Sequence, residues 1–156
     1  MKIKRTEIIQ MFNGLQKLGN LEGVKFSYAI VKTAKILSDE IYALKESIKS
    51  SDAFNEYERK RLELCNKYCS KDEAGKPLMK DGYFVGLDKN TDFIKEIETL
   101  KEKFKETLEA RKKQEQEYAK MLDEEVDVDI YQISLEDVPK NITVEQMAII
   151  EKLIKE

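Results

Sequence analysis

Asp127 and Asp129 stand two apart, in a stretch that alternates apolar and acidic residues. On a strand both carboxylates point to one face, where they could hold a divalent cation. Two ligands do not complete a site, so the bland reading is a solvated strand edge. A carboxylate pair also serves glycoside hydrolysis, but nothing in the sequence supplies a pocket for it. Cys65 and Cys69 are the two cysteines, and the chain has no histidine. Zinc needs about four ligands, so the pair reads as reduced thiols, or as half of a metal site shared across a dimer. A disulfide between residues four apart on a regular helix would fit poorly.

Two basic triplets, Arg59-Lys60-Arg61 and Arg111-Lys112-Lys113, could meet phosphate. Glu58, Glu63, Glu109 and Glu115 are interspersed with them, which favours salt-bridged helix surface instead. Charge is uneven along the chain. Residues 1–36 carry seven Lys/Arg against two Glu. Residues 114–137 carry Glu115, Glu117, Asp123, Glu124, Glu125, Asp127, Asp129, Glu136 and Asp137 against Lys120 alone. Either the two ends neutralise each other within the fold, or the acidic stretch docks on a basic partner surface. Of the seven tyrosines, most follow helical seams and read as core. Tyr83 and Phe84 are the exception, at a loop tip where exposed aromatics suit a partner anchor.

The elements that must carry these residues are mostly helical. Ile30, Ala34, Leu37, Ile41, Leu44 and Ile48 are spaced four, three, four, three, four, a heptad seam on one helix face. Ser50, Ser51 and Asp52 break its phase before Phe54, Tyr57, Leu64 and Tyr68 resume. The arm from 27 to 70 is therefore one helix with a polar stutter or two helices with a cap between them. After Asn90-Thr91-Asp92 a second arm, 91–122, carries Phe93, Ile97, Leu100, Phe104, Leu108, Tyr118, Met121 and Leu122. Folded antiparallel, Tyr68 meets Phe93, Leu64 meets Ile97, Tyr57 meets Phe104 and Phe54 meets Leu108. Leu44 then falls near Tyr118, and Ile41 near Met121. At 1.5 Å rise per residue each arm would be roughly 50 Å long.

Between the arms, Gly75 and Pro77 stop the helix, and Asp81-Gly82 sits between Leu78–Lys80 and Tyr83–Val85. That dipeptide predicts a β-hairpin with a type I′ turn. Lys2–Lys4 reads as a short strand, pairing with the alternating stretch 126–130. Thr6 is expected to cap a helix ending at Gly19-Asn20, in which Gly14 costs about 1 kcal/mol relative to Ala. Ser134–Asp137 reads as one helical turn. Thr143 and Gln146 form a capping box for a last helix, 144–155, with Ile142 and Met147 as its staple.

The predicted fold is mainly α: an elongated antiparallel helical hairpin with a β-hairpin tip and a small α+β base. It reads as a single domain, 1–156, with base 1–26 and 124–156, arms 27–70 and 91–122, and tip 71–90. Charged residues make up 38% and aromatics 8%, which suits solvated helices better than a compact α/β enzyme core. A net charge of −3, near neutral, argues neither for a general nucleic-acid binder nor for a wholesale DNA mimic, so nucleic acid is not expected as a direct ligand. No apolar run approaches the 18 or so residues of a membrane span, and the basic amino terminus lacks an apolar signal core.

The chain resembles a family of short phage and prophage proteins of Gram-positive bacteria. The residues that carry the likeness are Phe12–Leu18, Lys25–Tyr28, Tyr68–Pro77, Val126–Ile133, and Leu135–Pro139 with the capped last helix. Its motifs are structural, not catalytic, and it implies a phage origin and a role in the host cytoplasm. The expected function is non-enzymatic and without cofactor: inhibition of a host protein, as in an anti-CRISPR or other anti-defence factor. The expected contact residues are Tyr83, Phe84, Glu115, Glu117, Asp123, Glu124, Glu125, Asp127 and Asp129. A homodimer through the seams is a further expectation. A phage assembly helper and a nucleotide-sequestering protein are the alternatives.

Overall fold

A computed structural model describes residues 1–155. In chain order its elements are β1 (Lys2–Lys4), α1 (Arg5–Leu15), α2 (Val24–Ser47), α3 (Asp52–Tyr68), β2 (Met79–Lys80), β3 (Tyr83–Phe84), α4 (Thr91–Lys103), α5 (Lys105–Asp123), β4 (Glu125–Asp127) and α6 (Val144–Ile150), with short 3-10 turns at Gln16–Leu18, Leu135–Asp137 and Glu151–Leu153. The fold is mainly α, with two antiparallel two-stranded sheets. By contacts the chain divides into two compact units, Met1–Ile48 with Gln116–Glu156, and Lys49–Glu115.

The first unit holds the larger core. Ile8, Met11 and Leu15 of α1 are buried with Phe26, Ala29 and Leu37 of α2, and with Val128, Ile130, Ile133, Ile150 and Leu153. The expected seam of α2 is shifted. Its fully buried positions are Phe26, Ala29, Thr33, Leu37 and Leu44, while Ile30, Ala34 and Ile41 are only partly buried. Two elements cover this helix, α1 and the extended segment after β4, so its apolar stripe is wider than a two-helix seam requires. Thr33 is buried because its hydroxyl donates to the Tyr131 carbonyl at 3.4 Å.

The β1–β4 pairing is as the sequence predicts: Lys2 opposite Asp127, Ile3 opposite Val126, Lys4 opposite Glu125. The ladder is shorter than expected. Val128 still donates to the Met1 carbonyl at 2.9 Å, but from there the chain leaves the strand to run over the core. Its alternation persists, with Val128 and Ile130 buried and Asp129 and Tyr131 exposed.

Two helix boundaries differ from expectation. α1 begins at Arg5 directly out of β1, so Thr6 lies inside the helix rather than at its cap. Arg5 fixes that junction: its backbone N–H donates to the Glu124 carbonyl at 3.2 Å, and its guanidinium reaches Glu40 and Glu124, each at 2.7 Å. The last helix keeps its capping box but ends at Ile150, tightens to a 3-10 turn, and leaves at Ile154 to bridge Ile133 in parallel. Gly14 also finds its reason. A Cβ there would lie 2.9 Å from Ile149 Cγ2, so the missing side chain is what lets α6 close on α1.

The second unit is thinner. α3 and α4 pair antiparallel, with ring centroids 6.3 Å apart for Tyr68–Phe93 and 5.8 Å for Tyr57–Phe104. Tyr57, Ile97 and Leu100 are buried in one cluster, bordered by Phe54, Leu64, Phe93, Phe104 and Leu108. The expected register across the arms therefore holds here, and the seam closes within one chain. The first arm is two helices. α2 stops before Ile48, and the Ser51 hydroxyl accepts the Phe54 N–H at 3.2 Å as the cap of α3. The second arm is also interrupted, which periodicity did not foretell. Phe104 takes φ −106° and ψ 19°, although its N–H still donates to the Leu100 carbonyl at 3.1 Å and its carbonyl still accepts from Leu108 at 2.9 Å.

Candidate functional site

The β-hairpin tip is the most exposed apolar feature of the second unit. It is held by backbone rather than by a core. Ser70 donates to the Val85 carbonyl and accepts from Leu78, both at 2.8 Å, and Val85 donates to Leu78 at 3.0 Å. Asp72 Oδ1 accepts the N–H groups of Ala74 at 2.9 Å and Lys76 at 2.8 Å, an Asx turn that closes the loop before the hairpin. Asp81 and Gly82 have φ of 50° and 82°, the type I′ geometry that the sequence predicts. At Gly86, φ is 86° and a Cβ would collide with Ser70 Oγ, so this glycine lets the hairpin return against the end of α3. Asn90 caps α4, accepting from Phe93 at 3.0 Å. Tyr68 and Lys67 of α3 both donate to Glu96 of α4. That pair of donors, the tyrosine hydroxyl first, holds the Glu96 carboxyl below its ordinary range.

Met79 lies opposite Phe84, and Lys80 opposite Tyr83. Side chains alternate along each strand, so Lys80 and Tyr83 share one face with Leu78 and Val85, while Met79 and Phe84 share the other. Tyr83 is 78% exposed and Met79 55%. Phe84 is half-buried, so of the two expected anchors only Tyr83 presents its ring freely. An isolated two-stranded hairpin is marginal in water, and here Tyr83 and Met79 stay mostly open while Leu78 and Val85 are partly exposed.

The acidic stretch is engaged chiefly with the basic amino-terminal segment. The Met1 ammonium meets Asp127 at 2.8 Å, Lys4 approaches Asp123 at 3.8 Å, Arg5 meets Glu124 at 2.7 Å, and Lys25 meets Asp137 at 3.1 Å. The hydrogen bond from the Met1 amine pulls the Asp127 carboxyl below its usual range. Glu125 faces Lys4 across the sheet, and Asp129 is exposed. Glu115 is bonded by Arg111 at 2.9 Å in the second unit, and Glu117 also has a partner. The structure thus gathers Asp123, Glu124, Glu125 and Asp127 at one edge of the first unit, already opposed by cations.

The first basic triplet is salt-bridged along its own helix, and in the second Arg111 pairs with Glu115. Lys60 pairs with Glu56 at 2.6 Å, Arg61 with Glu58 at 2.8 Å, and Arg59 with Glu63. Lys60 and Arg111 also lie over the Phe104 and Phe54 rings, at 5.4 and 5.2 Å. Cys65 and Cys69 are both free thiols and buried, and burial pushes the Cys65 thiol up. Among the described residues, no group of three or more acidic or cysteine side chains is placed to hold a metal. No helix of the described residues is long and apolar enough to cross a membrane.

Position along the seams misplaces three tyrosines. Tyr28, Tyr42 and Tyr131 are 56%, 66% and 44% exposed, not core. The signal for Tyr28 and Tyr42 lies on the helical wheel of α2, where both fall opposite Phe26, Thr33, Leu37 and Leu44. Comparison of the chain with protein-family models, curated proteins and solved structures finds no match.

Proposed function

We propose that this is a non-enzymatic binding protein that uses its β-hairpin tip to engage a protein partner. The observation that carries this reading is the exposed quartet Leu78, Met79, Tyr83 and Val85 on a hairpin whose backbone is already tied down. An ordered, uncovered aromatic anchor loses little freedom when a partner pocket receives it, the property that concentrates binding energy in a few residues. The resemblance to phage proteins gives the setting: a factor acting in the cytoplasm of a Gram-positive host, inhibiting a defence protein by stoichiometric occupation. The acidic edge has a lesser part, since Asp123, Glu124 and Asp127 are already paired within the fold.

The test is affinity capture of the tagged protein from Gram-positive lysates, with and without nuclease, run beside Tyr83→Ala and the double variant Met79→Ser/Tyr83→Ala. The reading expects one host protein near equal stoichiometry, insensitive to nuclease and lost from the double variant. Recovery of virion proteins from infected cells would replace host inhibition with an assembly role. A partner retained by both variants would remove the tip from the interface.

A further inference from the structure

A concavity of about 350 Å³ opens in the first unit, between the start of α2 and the extended segment 131–134. Cavities that hold small molecules run roughly 300–1,000 Å³, so this one has room for one ring system and a short arm. Tyr28 and Tyr131 stand at it with ring centroids 5.5 Å apart and planes at 83°. Both residues keep about half of their surface open to solvent. Ala29 and Ile133 supply an apolar floor.

The rim is cationic and polar. Lys25 meets Asp137, which also lines the cavity, at 3.1 Å; the lysine is exposed and the carboxylate half-buried. Lys155 also lines the mouth, held by its backbone, its N–H donating to the Ile133 carbonyl at 2.8 Å. Gln132 and Ser134 add a side-chain amide and a hydroxyl able to read the edge of a ring. Open tyrosine faces attract planar π-systems of any identity. Two lysines at one mouth attract an anion on the same molecule.

We propose that this cavity binds a planar aromatic ring bearing an anionic group, the chemistry of a nucleoside monophosphate. The ring lies against Tyr28 and Tyr131 and the phosphate faces Lys155 and Lys25. Such a group reaches the cavity either as a free mononucleotide or as the end of a single strand. The site is independent of the tip and stands or falls separately from the partner-binding reading.

The experiment is titration of the full chain with AMP, GMP, CMP and UMP at low salt, followed by calorimetry and ligand-observed NMR. At least one should bind with Kd below about 1 mM. Tyr28→Ala and Tyr131→Ala should each weaken it by about tenfold or more, and Tyr28→Phe should not. Lys155→Gln should weaken it severalfold and flatten its dependence on salt. Tyr83→Ala, at the tip, should leave it unchanged. Circular dichroism confirms that each variant folds, as expected for exposed side chains. A ladder of oligonucleotides then separates the sources: affinity rising with length assigns a strand end, and equal affinity assigns the free nucleotide. No binding of any monophosphate at that concentration would overturn the proposal. So would binding that survives both tyrosine-to-alanine changes, or a nucleoside that binds as well as its monophosphate.

Discussion

The two units solve the burial problem differently. In the first, α1, α2, α6 and the extended segment after β4 surround a shared interior, and Ile8, Leu37, Ile150 and Leu153 have no exposure at all. In the second, α3 and α4 face each other across a single seam in which Tyr57, Ile97 and Leu100 are buried and Phe54, Leu64, Phe93, Phe104 and Leu108 at its border are partly wet. A core closed on all sides loses both transfer energy and packing when a side chain is removed. A seam open at its edges relaxes and admits water, so the same deletion costs less. The number of elements enclosing a side chain thus sets what its removal costs.

The largest expected effect follows from that contrast. Phe26→Ala should destabilise the first unit by about 3–5 kcal/mol, and Tyr57→Ala the second by about 2 kcal/mol, read by urea denaturation with residue-resolved NMR. Equal losses would break the comparison. Next comes Gly14→Val, which drives a branched side chain into Ile149. It should cost the first unit about 1–3 kcal/mol, visible as a lowered urea midpoint with an unchanged slope. A cap in each unit then sharpens the picture. Ser51→Ala and Thr143→Ala should each cost about 1 kcal/mol in urea. In hydrogen exchange the loss should stay within α3 for the first and α6 for the second.

The smallest effect concerns pH. Asp127 in the first unit and Glu96 in the second both titrate below their ordinary values when folded. A depressed carboxyl contributes stability that is present above its unfolded pKa, about 3.9 for Asp and 4.3 for Glu, and is lost as pH falls through the folded value. Both units should therefore weaken slightly below about pH 4. Asp127→Asn should flatten that acid limb in the first unit only, and Glu96→Gln in the second only, as followed by NMR titration. Loss of both limbs from either change would mean that the two units do not respond independently.

Much of this architecture was legible in the sequence, because its signals are local. The Asp81-Gly82 turn, the Thr143–Gln146 box, the Asn90 cap and the β1–β4 pairing each need a few residues of known preference. The Tyr57–Phe104 and Tyr68–Phe93 contacts needed only two seams of matching period. What escaped depends on partners distant in the chain. The buried stripe of α2 widened because a second layer covers it, and Phe104 interrupts its arm with neither proline nor glycine to mark the place. The tip could be read, and the α2 wheel and the 126–131 alternation carry the exposure of Tyr28 and Tyr131, but the meeting of those two rings could not be read. Tyr131 sits where it does because the chain leaves β4 to cross α2, a path that no local pattern records.

The buried thiols give the second unit an internal clock. Cys65 and Cys69 are the protein's two cysteines, and both lie at the α3 end of that unit, out of solvent. A thiol-specific reagent can modify them only when α3 and its neighbours part, so the rate of alkylation counts the openings of this unit and ignores those of the other. Without any added label, the protein reports how often its thinner half comes apart, and a partner that clamps the tip would slow the count.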